Sequence, residues 1–177
     1  KSSRGALGER QLEDIIRNVL PEAAYEFQYT FQTATNLRAD CVLKLPEPTG
    51  LIAIDSKFPL ENYERMISDG PDKVPPGAFK ADVRRHIDDI ASKYIIPGET
   101  GDGAVMFIPA ESVFAEIHAH HRDLVEHAQL RHSFLAGVVL LNGPIAEAIA
   151  GRYRARGIDS DALVQVAALD TAFGGLR

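Results

Sequence analysis

Two short apolar runs, ADCVLKL (39–45) and LIAIDSKF (51–58), flank the breaker-rich turn PEPTG (46–50). Strands joined by so short a connection pair antiparallel, because a parallel pair needs a crossover of a dozen residues or more. Strand periodicity puts Leu51, Ala53, Asp55 and Lys57 on one face, with Ile52, Ile54, Ser56 and Phe58 on the other. Centring the hairpin between Glu47 and Pro48 sets Asp40 directly across from Asp55. Facing residues of an antiparallel pair have Cβ atoms roughly 5 Å apart. The hairpin therefore commits the chain to a sheet carrying two carboxylates and a lysine on one face.

The rest of the sequence supplies elements to flank that sheet. Residues 6–20 read as a helix, with Leu12, Ile15, Ile16 and Val19 at helical spacing and Pro21 as its stop. Residues 25–32, YEFQYTFQ, alternate as a strand does, and PLENYERMI reads as a short helix. Residues 78–94 form an amphipathic helix with Val83, Ile87, Ile90 and Ala91 inward. GETGDG reads as a turn, AVMFIPA as a short buried strand, and ESVFAEIHAHHRDLVEHAQLRH as helix in two pieces. SFLAGVVLL reads as a further strand, NGP as a turn and PIAEAIAGRYRARG as a last helix. The order predicts an α/β domain, a mixed central sheet flanked by helices.

Composition narrows the function classes. A formal net charge of -6 argues against a protein that merely coats DNA, although local basic groups beside a metal remain compatible with it. No run of 18 apolar residues is present and KSSRGALGER has no signal-peptide core, so no direct membrane contact and a cytoplasmic location are expected. The single cysteine, Cys41, fits a reducing compartment. The missing initial Met suggests a piece of a longer chain forming one domain over 1–177, with 133–177 lysine-free and atypical. GETGDG lacks the Lys-Ser/Thr of a phosphate-binding loop, and the histidines between His118 and His132 lack a zinc pattern.

Two carboxylates facing each other at this distance repel unless a cation lies between them. Mg²⁺ suits such an oxygen-rich site, keeps several waters and commonly uses one or two carboxylates. Lys57 could then orient an attacking water or neutralise a phosphoryl oxygen, which amounts to metal-assisted phosphodiester hydrolysis. The alternative is an ordinary surface ion pair, the usual fate of an Asp-x-Lys tripeptide.

The arrangement of Asp40 followed by Asp55-Ser56-Lys57 resembles the core of the PD-(D/E)xK restriction-endonuclease-like superfamily. Within it, GALGERQLEDII, YEFQ, LRADCVLKLP, LIAIDSKFPLENYERM, VRRHIDDIASKYI and VMFIPAESVFAEI together resemble the RmuC family of DNA recombination proteins. The resemblance implies a restriction-endonuclease-like fold, with Asp40 and Asp55 as metal-binding carboxylates, Lys57 as the catalytic lysine and Mg²⁺ or Mn²⁺ as cofactor. It also implies a metal role for Glu9, which the sequence alone reads as a helix-start carboxylate favoured by the dipole. Gln28 of YEFQ is a candidate to line the same cleft. Lys80 and Arg84, four apart, with Arg85, are candidate phosphate contacts. Family members often carry an upstream coiled coil, which implies assembly through a region absent here.

These readings converge on a metal-dependent deoxyribonuclease domain acting in recombination or repair. The alternative is a non-catalytic DNA-binding or structural domain that keeps the fold; hydrolysis of RNA or a small nucleotide is a weaker third.

Overall fold

A computed structural model describes residues 3–56 and 60–137. Lys57 therefore lies outside the described residues, as do the expected turn at 142–144 and the helix after it. Eleven elements follow in order. Helix α1 spans Ser3–Val19, and a single 3-10 turn, Glu22–Ala24, leads into strand β1, Tyr25–Thr30. Strands β2 (Arg38–Lys44) and β3 (Leu51–Asp55) precede helices α2 (Leu60–Ile67) and α3 (Pro76–Tyr94). Strand β4 (Thr100–Ile108), helices α4 (Glu111–His120) and α5 (Arg122–Leu130) and strand β5 (Ser133–Gly137) complete them.

The five strands lie in the order β1-β2-β3-β4-β5. β1, β2 and β3 are antiparallel neighbours, while β3, β4 and β5 run parallel. The parallel connections are long because each must cross over the sheet, and helices fill them. Within the hairpin Cys41 opposes Ile54, Val42 opposes Ala53, Leu43 opposes Ile52 and Lys44 opposes Leu51. This is the register expected from the sequence, and one more step sets Asp40 opposite Asp55.

The sheet separates two apolar layers. On one face the α1 stripe Leu12, Ile15, Ile16 and Val19 packs with Cys41, Leu43, Ile52, Ile54, Val105 and Phe107. On the other, Phe79, Val83, Ile87 and Ile90 of α3 pack with Val42, Ala53, Ala104 and Met106, joined by α4 and α5. Residues Ala104 to Ile108 of β4 are all buried, as a strand covered on both faces requires. Burying one side chain such as Phe79 or Ile87 completely is worth about 1.5–3 kcal/mol.

Two of the boundaries that differ from the sequence reading have a plain physical cause. α3 begins at Pro76, earlier than expected, because Pro at the first helical position gives up a hydrogen bond that position never makes. The GETGDG stretch is not a free turn: β4 already starts at Thr100, which pairs with Leu51. Gly101 makes this fit, since an added Cβ there would stand 2.4 Å from the Thr49 carbonyl oxygen. The hairpin turn lies on the glycine, and the polar residues around it enter the sheet. The expected two-piece helix after β4 is present, broken at His121.

Candidate metal and phosphate site

Asp40 and Asp55 sit on neighbouring strands with their side chains on the α3 face of the sheet, each only 8% exposed. Burying a carboxylate is costly unless hydrogen bonds or charge compensate it. For Asp40 part of the compensation is local. The Ser56 backbone N–H donates to its Oδ2 at 3.1 Å and the Ser56 hydroxyl donates to the same oxygen at 2.9 Å. The hairpin register brings this about, since Ser56 is the first residue beyond β3 and Asp40 faces the strand's last position. Both bonds end on Oδ2, and among the described residues no donor bonds Oδ1.

Tyr94, the last residue of α3, closes the other side. It is buried, its hydroxyl donates to the Arg38 carbonyl at 3.3 Å, and its ring lies 6.0 Å from that of Phe31. Burial pushes its phenol pKa up, and the adjacent Asp55 carboxylate, by charge and hydrogen bond, pushes it further, with Asp40 adding a smaller share. Tyr94 thus stays a neutral donor beside two acids. Sequence reasoning missed it, because an aromatic residue in the last turn of an amphipathic helix reads as core.

A cleft opens next to Asp55, lined also by His86, Asp89, Ile90, Lys93 and Tyr94 of α3. Glu9 comes to the same end of β3 from the opposite face. Its neighbour Gly8 packs so closely that an added Cβ would lie 3.3 Å from the Ser56 carbonyl oxygen. Among the described residues, however, no group of three or more His, Cys, Asp or Glu side chains is placed to hold a metal ion. Asp40 and Asp55 are together; Glu9 does not join them as a third ligand. The donor set still suits a hard cation such as Mg²⁺, which takes one or two carboxylates and fills its shell with water and phosphate oxygens. It does not suit zinc, which prefers nitrogen and sulfur.

Gln28 lies where the β1–β2 register passes Asp40: Phe27 opposes Cys41 and Tyr29 opposes Ala39. It is exposed, and its φ of 52° is a left-handed conformation unusual inside a strand. The basic candidates of α3 separate by partner. Lys80 pairs with Asp123 of α5 at 2.7 Å, lowering the Asp123 pKa, and Arg85 pairs with Asp82 at 2.8 Å. Arg84 is exposed, and among the described residues no carboxylate lies within ion-pair distance of it. Two of the histidines are used in packing: His127 bonds Asp88 at 2.8 Å, and His121 bonds Glu116 at 3.2 Å with its ring against Phe79. Cys41 is buried, and burial first, then the charges of Asp40 and Glu13, raise its thiol pKa; it is no nucleophile.

Fold and site together define a mixed α/β domain that presents a pair of facing, nearly buried carboxylates at the end of its central hairpin. Residues 1–143 match the RmuC family, and the chain belongs to it. It is 32% identical over 125 residues to the DNA recombination protein RmuC homologs of two Xylella fastidiosa strains, Temecula1 and 9a5c. Those matches cover 64% of this chain and 27% of each relative. It is 28% identical over 143 residues to the DNA recombination protein RmuC homolog of Chlamydia trachomatis, covering 78% of this chain and 32% of that one. The chain thus spans about a third or less of the length of the curated relatives it matches. No solved structure matches it significantly. Among the described residues no helix is long and apolar enough to cross a membrane.

Proposed function

We propose that this domain is a metal-dependent deoxyribonuclease of the PD-(D/E)xK type, hydrolysing DNA phosphodiesters in recombination or repair. The observation that carries the reading is the Asp40–Asp55 pair: two nearly buried carboxylates facing across a hairpin, one of them fastened by Ser56. Such a pair has little use as a stability element, since apolar residues would pack there without the cost of desolvating charge. Mg²⁺ or Mn²⁺ held by Asp40 and Asp55 would supply Lewis-acid stabilisation of the phosphoryl oxygens.

The chain's own groups do the rest. Ser56 fixes the Asp40 carboxylate through its Oδ2. Tyr94 stays neutral beside the Asp55 carboxylate and walls that side of the cleft. Lys57, two residues beyond Asp55, orients the attacking water or neutralises charge developing on the phosphate. Glu9, beside Gly8 at the same strand end, supplies a further carboxylate through a water. DNA is the partner.

The absence of a third ligand among the described residues favours one other reading, a DNA-binding domain that keeps the fold without cleaving. End-labelled linear DNA, single- and double-stranded, incubated with Mg²⁺ or Mn²⁺ and with EDTA controls, separates the two. The nuclease reading expects metal-dependent cleavage by wild type, loss of cleavage in Lys57→Ala, and DNA binding retained in both. DNA binding without any cleavage by the folded wild type would leave the non-catalytic reading in its place.

A further inference from the structure

The geometry points to Lys93, rather than the Lys80–Arg85 stretch, as the residue of α3 that contacts the phosphates of a nucleic-acid backbone lying in the cleft beside Asp55. This rests on the reading of Asp40 and Asp55 as a phosphodiester site, and it names where the flanking strand runs. The cleft joins Asp55 to His86, Asp89, Ile90, Lys93 and Tyr94. Residues 86, 90, 93 and 94 recur at helical spacing, so they form one stripe of α3, and Ile90 and Tyr94 anchor that stripe to the sheet.

The cations of α3 differ in what they already hold. The Lys80 ammonium ties α3 to α5 through Asp123, and the Arg85 guanidinium is held by Asp82 one turn earlier. Each would have to break an ion pair before meeting a phosphate. Arg84 carries no such pair among the described residues, but it is not one of the residues lining the cleft. Lys93 meets both conditions: it is exposed, no described carboxylate lies within ion-pair distance, and it lines the cleft.

Electrostatics requires a group of this kind. A backbone entering the cleft meets the Asp89 carboxylate beside the metal-site Asp55, and a cation on the same stripe offsets that repulsion. Lys93 lines the same cleft as Asp55, so its four-carbon stem can carry an ammonium to a phosphate beside the acidic pair. It also lies in the last turn of α3, where the helix dipole favours a cation. Asp89, four residues earlier, limits that attraction, so removing its charge should have the opposite effect.

The test is anisotropy of a labelled DNA duplex across a salt series, in Ca²⁺ buffer with the DNA checked intact on a gel. It compares wild type with Lys93→Gln, Asp89→Asn and Arg84→Gln, all at exposed positions. Because each phosphate contact releases counterions, losing one should make the slope of log K against log salt shallower by about 0.9 for duplex DNA. Lys93→Gln should show that change together with weaker binding, Asp89→Asn should bind more tightly, and Arg84→Gln should leave the slope as in wild type. An unchanged slope in Lys93→Gln, an equal change in Arg84→Gln, or no DNA binding by wild type would each overturn the proposal. Cleavage is scored separately. Loss of slope in Lys93→Gln without any cleavage by wild type keeps the cleft and removes the nuclease; cleavage with an unchanged slope does the reverse.

Discussion

Replacing Ser56 by Ala removes one of the two hydrogen bonds that hold Asp40 and nothing else of size. The hydroxyl donates at 2.9 Å to a carboxylate that is 8% exposed, while the backbone N–H at 3.1 Å is untouched. A hydrogen bond to a charged group contributes about 1.5–3 kcal/mol, and deleting a single oxygen leaves little cavity to add to that. In a domain of this size each kcal/mol moves the melting temperature by about 2–4 °C, so a fall of roughly 3–12 °C is expected. Ser133 provides the matched control. It is equally buried, yet its hydroxyl has no hydrogen-bond partner among the described residues. Removing an unsatisfied buried hydroxyl costs nothing in lost bonding, so Ser133→Ala should stay within about 0.5 kcal/mol of wild type or gain slightly. Urea unfolding followed by circular dichroism reads both variants, provided the dependence on denaturant is unchanged. Equal stabilities for the two alanine variants would refute the claim that Ser56 fastens Asp40.

Gly101→Ala should destabilise the domain by about 1–3 kcal/mol, the usual cost of overpacking, because the new Cβ would meet backbone rather than a side chain that can swing away. The group in its path is the Thr49 carbonyl at 2.4 Å, with Ile52 Cδ1 at 2.9 Å, and thermal melting measures the loss. Glu99 accepts hydrogen bonds from the Thr33 hydroxyl and from the backbone N–H groups of Gln32 and Thr33. Those bonds, the Thr33 hydroxyl first, lower its pKa below the ordinary 4.5. A depressed folded pKa gives stability that is present above the unfolded pKa and lost as pH falls through the folded one. The melting temperature of wild type should therefore exceed that of Glu99→Gln at pH 7, and the gap should close as pH drops below about 4.5. A gap that widens in acid would contradict the assignment.

How much of this was legible in the sequence depends on how local each signal is. The α1 stripe and the hairpin register follow from periodicity within a few residues, so Leu12, Ile16 and the Asp40–Asp55 pairing could be read directly. The start of β4 could not, because Gly101 signals a turn unless one knows that the Thr49 carbonyl lies against it. The basic residues of α3 read alike in sequence. Asp123, 43 positions away, is what engages Lys80, and the rotation of α3 over the sheet is what brings Lys93 to Asp55. Tyr94 was hidden for the same reason: its chemistry comes from Arg38 and Asp55, both distant in the chain. Glu9 is the reverse case, a residue named through family resemblance that the fold brings to the right strand end without joining it to the carboxylate pair.

The central claim is that Asp40 and Asp55 share a cation, and Mn²⁺ binding tests it before any substrate is chosen. Titration calorimetry on wild type, Asp40→Asn and Asp55→Asn, each confirmed folded by circular dichroism, gives the comparison. The account predicts saturable binding in wild type that disappears in both variants. Unchanged Mn²⁺ binding in either variant, or none in wild type, would contradict it.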